Sequence, residues 1–131
     1  MKNRYLINFL MGIIFFSLIV IACDDTILTD DLIPETNVSY TQHVQPIFDR
    51  KCTNAGCHND TERAGGLSLT SYANTVASYL VVAPGYPENS ILIWAIDGSS
   101  SNPMPPFGYW PLTEKERVGI KTWVKEGAKN N

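Results

Sequence analysis

Histidine is scarce in this chain, which has only His43 and His58, and beyond Ala22 there is a single methionine, Met104. Two histidines leave little material for a nucleophile–base–acid constellation, and none is legible. Nor is there a phosphate-binding glycine loop or an internal repeat. An enzyme is therefore not expected. Basic residues are few as well: ten Lys and Arg stand against 13 Asp and Glu. If Lys2 and Arg4 leave with an export signal, eight remain and the net charge moves from −3 to −5. That balance argues against nucleic acid and against docking on anionic lipid head groups.

What is present begins with targeting. Lys2 and Arg4 precede an almost unbroken apolar run, Tyr5 to Ala22, that ends at Cys23. Val20-Ile21-Ala22-Cys23 resembles a bacterial lipobox, in which the cysteine thiol becomes acylated. The competing reading is an uncleaved anchor, since 18 residues at about 1.5 Å each reach roughly 27 Å, nearly a bilayer core. Asp24-Asp25, directly after Cys23, favours the lipoprotein. Both readings put the rest of the chain outside the cytoplasm. The expected place is the cell envelope, facing the periplasm or the cell exterior and held to the membrane by lipid on Cys23, with the outer membrane as the expected host. Residues 24–37 carry five acids, no base and Pro34, the composition of a solvated tether. Residues 38–131 then form one small domain, whose modest core calls for a covalent or cofactor staple.

Cysteine is used sparingly too. With Cys23 acylated, only Cys52 and Cys57 remain, in Cys52-Thr53-Asn54-Ala55-Gly56-Cys57-His58. A disulfide is the default for paired cysteines in an oxidising compartment. Zinc is a poor fit, because a closed site wants four ligands and His43 is the only further histidine or cysteine. Covalent haem accounts for all three residues: two thioethers hold the porphyrin and His58 ligates the iron. The usual haem spacing is Cys-x-x-Cys-His, whereas four residues intervene here, so the extra two must bulge. Asn54 and Gly56 tolerate the positive φ that a bulge needs. On these residues alone, haem and disulfide stay level.

A second axial ligand has two candidates. Met104 sits in Asn102-Pro103-Met104-Pro105-Pro106, where the prolines forbid helix and stiffen the loop that would hold a thioether over iron. The bland reading is a loop methionine packed on a surface. His43, nine residues before Cys52, is the alternative ligand, against its plainer reading as a partly exposed helix-face histidine.

The coarse pattern is all-α. Ser39 opens a helix through Val44, Ile47 and Phe48, with Pro46 tolerated in its first turn. Thr70-Ser71 opens a short helix from Tyr72 to Tyr79. Asn89 or Ser90 caps Ile91–Ile96, which Asp97-Gly98 stops. Thr113-Glu114-Lys115-Glu116 is a capping box, followed by Ile120, Trp123 and Val124 at helical spacing and by Gly127 as a stop. Trp94 and Trp123 are read as packing residues.

The order of blocks carries more than any one of them. Val44-Gln45-Pro46-Ile47-Phe48, Cys52…Cys57-His58, Gly66-Leu67-Ser68-Leu69, Pro84-Gly85-Tyr86-Pro87-Glu88-Asn89-Ser90-Ile91-Leu92, Met104-Pro105-Pro106 and Leu112-Thr113…Trp123-Val124…Gly127-Ala128 follow one another. From about residue 40 to 128 this resembles the planctomycete-type cytochrome c domain, a helical module often found in envelope lipoproteins. The resemblance implies a cytochrome c-like fold around one covalent haem c and electron transfer to an unidentified redox partner protein. It further implies thioethers at Cys52 and Cys57, with His58 as the proximal and Met104 as the distal iron ligand. Members with four residues between the cysteines occur in that family. The alternative is a haem-free, disulfide-stapled envelope interaction module that keeps the fold. Phe107-Gly108-Tyr109-Trp110 lies outside the shared pattern and reads as a loop insertion.

Overall fold

The structure is a computed structural model that describes residues 33–131. The expected signal segment, Cys23 and most of the tether lie outside the described residues. Among those described, every regular element is helical: a π-helical turn Tyr40–Val44, α1 Gln45–Lys51, α2 Tyr72–Thr75, α3 Ile91–Asp97 and α4 Glu114–Lys125, with 3-10 turns at Ala64–Gly66 and Pro87–Asn89. The all-α expectation holds.

The first helix is not continuous. Ser39 Oγ accepts the Gln42 N–H at 3.2 Å, as an N-cap should. The next turn is wide, however, with the Val44 N–H donating five residues back to the Ser39 carbonyl at 3.3 Å. Pro46 explains this, because it has no N–H for the Gln42 carbonyl and its ring crowds that carbonyl in an α-turn. The α-register starts afresh at Gln45, with Pro46 in the first turn.

Two further helices differ from expectation. α2 ends at Thr75 rather than Tyr79. Ser71 caps it, accepting from the Asn74 N–H at 3.3 Å. The Ser78 carbonyl then captures the Val81 and Val82 N–H groups, both at 3.0 Å, and turns the chain away. Ser90 stands at the start of α3 but does not cap with its side chain. Its buried Oγ accepts from the Ala83 N–H at 2.9 Å and donates to the Tyr86 carbonyl at 3.1 Å, tying the preceding loop instead. Gly98, at φ 82°, stops α3. α4 follows the sequence reading: the Glu116 N–H donates to Thr113 Oγ1 at 3.2 Å and the Thr113 N–H to Glu116 Oε2 at 2.8 Å.

The core lies where the N-terminal helix crosses α4. Tyr40, Val44, Ile47 and Phe48 are buried against Ile120, Trp123 and Val124, with Leu92 and Ile93 of α3 closing the far side. Trp123 is core, as expected; its Nε1 donates to the Lys129 carbonyl at 2.8 Å. Trp94 is not. It is 43% exposed on the outer face of α3, and its Nε1 reaches the Glu88 carbonyl at 2.7 Å. The two ends of the domain meet through Glu126, whose carboxylate accepts from the Asn37 and Val38 N–H groups at 2.7 and 2.9 Å. This packing leaves the end of α1, the loop after it and the loop between α3 and α4 around a common opening.

Candidate functional site

α1 delivers Cys52 to that opening. The Cys52 N–H closes the helix on the Phe48 carbonyl at 2.8 Å, and the chain then doubles back. The Cys57 N–H reaches the Asn54 carbonyl at 3.0 Å and the His58 N–H the Cys52 carbonyl at 2.9 Å. These bonds form the bulge that the long spacing demanded. Gly56 takes it up at φ 79°. Asn54 is not among the positive-φ residues; it serves through its carbonyl and through a side-chain donation to the Arg50 carbonyl at 3.3 Å.

The loop beyond is fastened at several points. The Leu69 N–H donates to the His58 carbonyl at 2.8 Å and the Ala64 N–H to the Cys57 carbonyl at 3.0 Å. Asp60 collects the Ser68 hydroxyl at 2.7 Å, the Thr70 hydroxyl at 2.9 Å and Asn74 Nδ2 at 3.2 Å. The Ser68 and Thr70 hydroxyls hold its carboxyl below the usual range, and the Asn74 bond ties the His58 loop to α2. On the opposite wall, the Met104 N–H donates to the Ala95 carbonyl at 2.8 Å, which sets that loop against the end of α3.

The result is one cleft of about 180 Å³, open to solvent on one side. Cys52, Cys57, His58 and Met104 all line it, with Gly56, Ala64, Ile96, Pro105, Pro106, Tyr109, Leu112 and Lys51. The walls are largely apolar. Both cysteines are free thiols. Burial, then the neighbouring Cys57 and Glu116, push the Cys52 thiol up to about 12, so it stays neutral. His58 is half-buried, and its Nδ1 is buried without a hydrogen-bond partner. A buried imidazole nitrogen left unpaired is costly unless something binds there.

These residues fit a c-type haem. Two free thiols, an imidazole and a thioether share an apolar cleft, and no group of three His, Cys, Asp or Glu gathers into another metal site among the described residues. His43 is elsewhere: its Nδ1 accepts the Ser39 N–H at 2.9 Å, and it is not among the cleft-lining residues. Cys23 lies outside the described residues.

Sequence reasoning missed the charged neighbours of the cleft. Lys51 Nζ meets Glu116 Oε2 at 2.6 Å and the Pro111 carbonyl at 2.9 Å. Glu116 was visible only as a capping residue, and nothing local announces a partner 65 positions away. The Phe107–Trp110 insertion also contributes, since Tyr109 lines the cleft while Phe107 and Trp110 face solvent.

Residues 55–108, less than half of the chain, match the family model described as Planctomycete cytochrome C. The matched span is narrower than the resemblance read from about 40 to 128; it contains Cys57, His58 and Met104 and begins after Cys52. No curated protein and no solved structure gives a match. Over residues 55–108 the chain is thus similar to the planctomycete-type cytochrome c domain.

Proposed function

We propose that the domain carries one covalent haem c and passes electrons at the cell envelope, without an enzymatic reaction of its own. The observation that carries this reading is the convergence of Cys52, Cys57, His58 and Met104 on one apolar cleft. Cys52 and Cys57 would hold the group through two thioethers, and His58 and Met104 would hold its iron. When bound, the group supplies one-electron exchange between ferrous and ferric iron.

The chain's own residues do the rest. The Asp60 network and the bonds to the His58 and Cys57 carbonyls hold the imidazole wall rigid, so little reorganisation accompanies a change of charge. Ile96, Leu112 and the prolines limit water at the cleft, which favours the less charged ferrous state. Acylation at Cys23 would hold the domain to the membrane through the acidic tether, within reach of a redox partner protein.

Attachment is tested by maturing the chain with a haem-attachment system and reading its pyridine haemochrome. Wild type is expected to give the two-thioether spectrum and Cys52→Ala a red-shifted one with a single bond. A disulfide-stapled module without haem is the contrary outcome.

A further inference from the structure

Glu116 is 2% exposed, and its Oε2 accepts from Lys51 Nζ at 2.6 Å and from the Thr113 N–H at 2.8 Å. Lys51, whose side chain is 13% exposed, also donates to the Pro111 carbonyl at 2.9 Å. Arg50 adds a looser approach to Oε1 at 3.7 Å. Burying such a pair brings little net stability by itself. What it does bring is position, because Lys51 ties the end of α1 both to Glu116 of α4 and to the Pro111 carbonyl. Lys51 is the last residue of α1 and the neighbour of Cys52, whereas Pro111 ends the segment that carries Met104, Pro105, Pro106 and Tyr109.

That segment has few other fastenings. Its near end is held where the Met104 N–H meets the Ala95 carbonyl at 2.8 Å and the Ser100 N–H meets the Trp94 carbonyl at 3.0 Å. Between residues 105 and 110, the backbone bond from the Tyr109 N–H to the Pro106 carbonyl stays inside the segment. Its far end is held by Lys51 and by the buried side chain of Leu112.

We propose that Lys51 and Glu116 form a positioning clasp that locks the Met104 wall of the cleft against the Cys52 wall. The inference rests on the haem reading above. Without the clasp the 105–112 segment opens more often, and an outside ligand competes more readily with Met104 for the sixth position. The pair acts through Met104 and is not itself a ligand.

The test uses the Lys51→Met/Glu116→Gln double variant of the full chain, which leaves no buried charge unpaired. The side-chain carbonyl of the introduced glutamine still accepts the Thr113 N–H, so the cap survives. Lys51→Arg keeps the clasp. Tyr72→Phe, which loses only a hydroxyl bond to the Ala128 carbonyl, controls for general destabilisation. The ferric holoproteins are titrated with imidazole, and amide hydrogen exchange is followed across residues 107–112. The double variant is expected to bind imidazole about tenfold more tightly, as the open population rises by that factor, and to exchange faster at Tyr109, Trp110 and Leu112. Lys51→Arg and Tyr72→Phe are expected to behave as wild type. Wild-type imidazole affinity and exchange in the double variant overturn the clasp, as does an equal shift in Tyr72→Phe. If wild type proves to carry no haem, the functional reading falls, and exchange in the haem-free chain decides the clasp by the same comparison.

Discussion

Thioether sulfur is a soft, weak donor that favours ferrous iron, and a second imidazole favours ferric iron, so on the proposed haem reading the sixth ligand would set the working range of the domain. Met104 lines the cleft and His43 does not. Replacing Met104 by Ala is expected to open the sixth position to water, remove the sulfur-to-iron charge-transfer band of the ferric spectrum and lower the potential. His43→Ala loses only its acceptance of the Ser39 N–H, about 1 kcal/mol of stability, and leaves the spectrum unchanged. The reverse pattern would make this a bis-histidine carrier. A second residue-scale prediction concerns Asp97, whose Oδ1 accepts from the Ser99 hydroxyl at 2.5 Å and the Ser99 N–H at 2.9 Å. These bonds hold its carboxyl below the ordinary 3.8. Its folded pKa is depressed, so its contribution is present above the ordinary value and is lost as pH falls through the lowered one. Denaturant unfolding of Asp97→Ala is expected to show a deficit at about pH 7 that shrinks below about pH 4; an undiminished deficit would contradict the assignment. Cys52, Cys57, His58 and Met104 stand out in the sequence because few side chains do that chemistry, and the structure adds that all four line one cleft. Lys51 with Glu116 was not legible, since a contact between residues so distant in sequence leaves no local trace. Trp94 was misread because the unbroken apolar stretch Ile91–Ile96 does not say which face points inward.

At the scale of elements, local chemistry was readable where it satisfied backbone groups and unreadable where something competed. Thr113 and Glu116 announced α4 because a capping box pairs two otherwise orphaned donors. Thr113→Ala is accordingly expected to cost about 1 kcal/mol of stability. Glu116→Ala removes both the reciprocal cap and the partner of a buried lysine. Its cost is expected to reach about 3 kcal/mol, the lower part of the range for breaking a buried ion pair. Equal losses in the two variants, measured by denaturant unfolding, would mean that the ion pair contributes nothing. Ser90 was read as an N-cap candidate, and its side chain is taken by the Ala83 N–H and the Tyr86 carbonyl instead. The wide turn at Tyr40–Val44 followed from Pro46, but sequence alone did not distinguish a tolerated proline from one that re-sets the helix. α2 was expected to be longer because nothing in the 76–79 sequence marks the stop made by the Ser78 carbonyl.

The described residues form a small helical core beside an apolar cleft lined by Cys52, Cys57, His58 and Met104. A domain of this size buries a limited apolar area, and a group that occupies the cleft adds contacts available only to the folded chain. The haem-free chain is therefore expected to melt at a markedly lower temperature and less cooperatively than the matured one; a cooperative, high-melting haem-free protein would point to the interaction module. Cys57, His58 and Met104 lie both within the family match and on the cleft wall. The most direct test is the intact mass and acid-acetone extraction of the chain matured with a haem-attachment system. The account predicts a mass increment of one haem, retained through extraction, with neither Cys52 nor Cys57 open to alkylation. A chain without that increment, holding a Cys52–Cys57 disulfide, would contradict it.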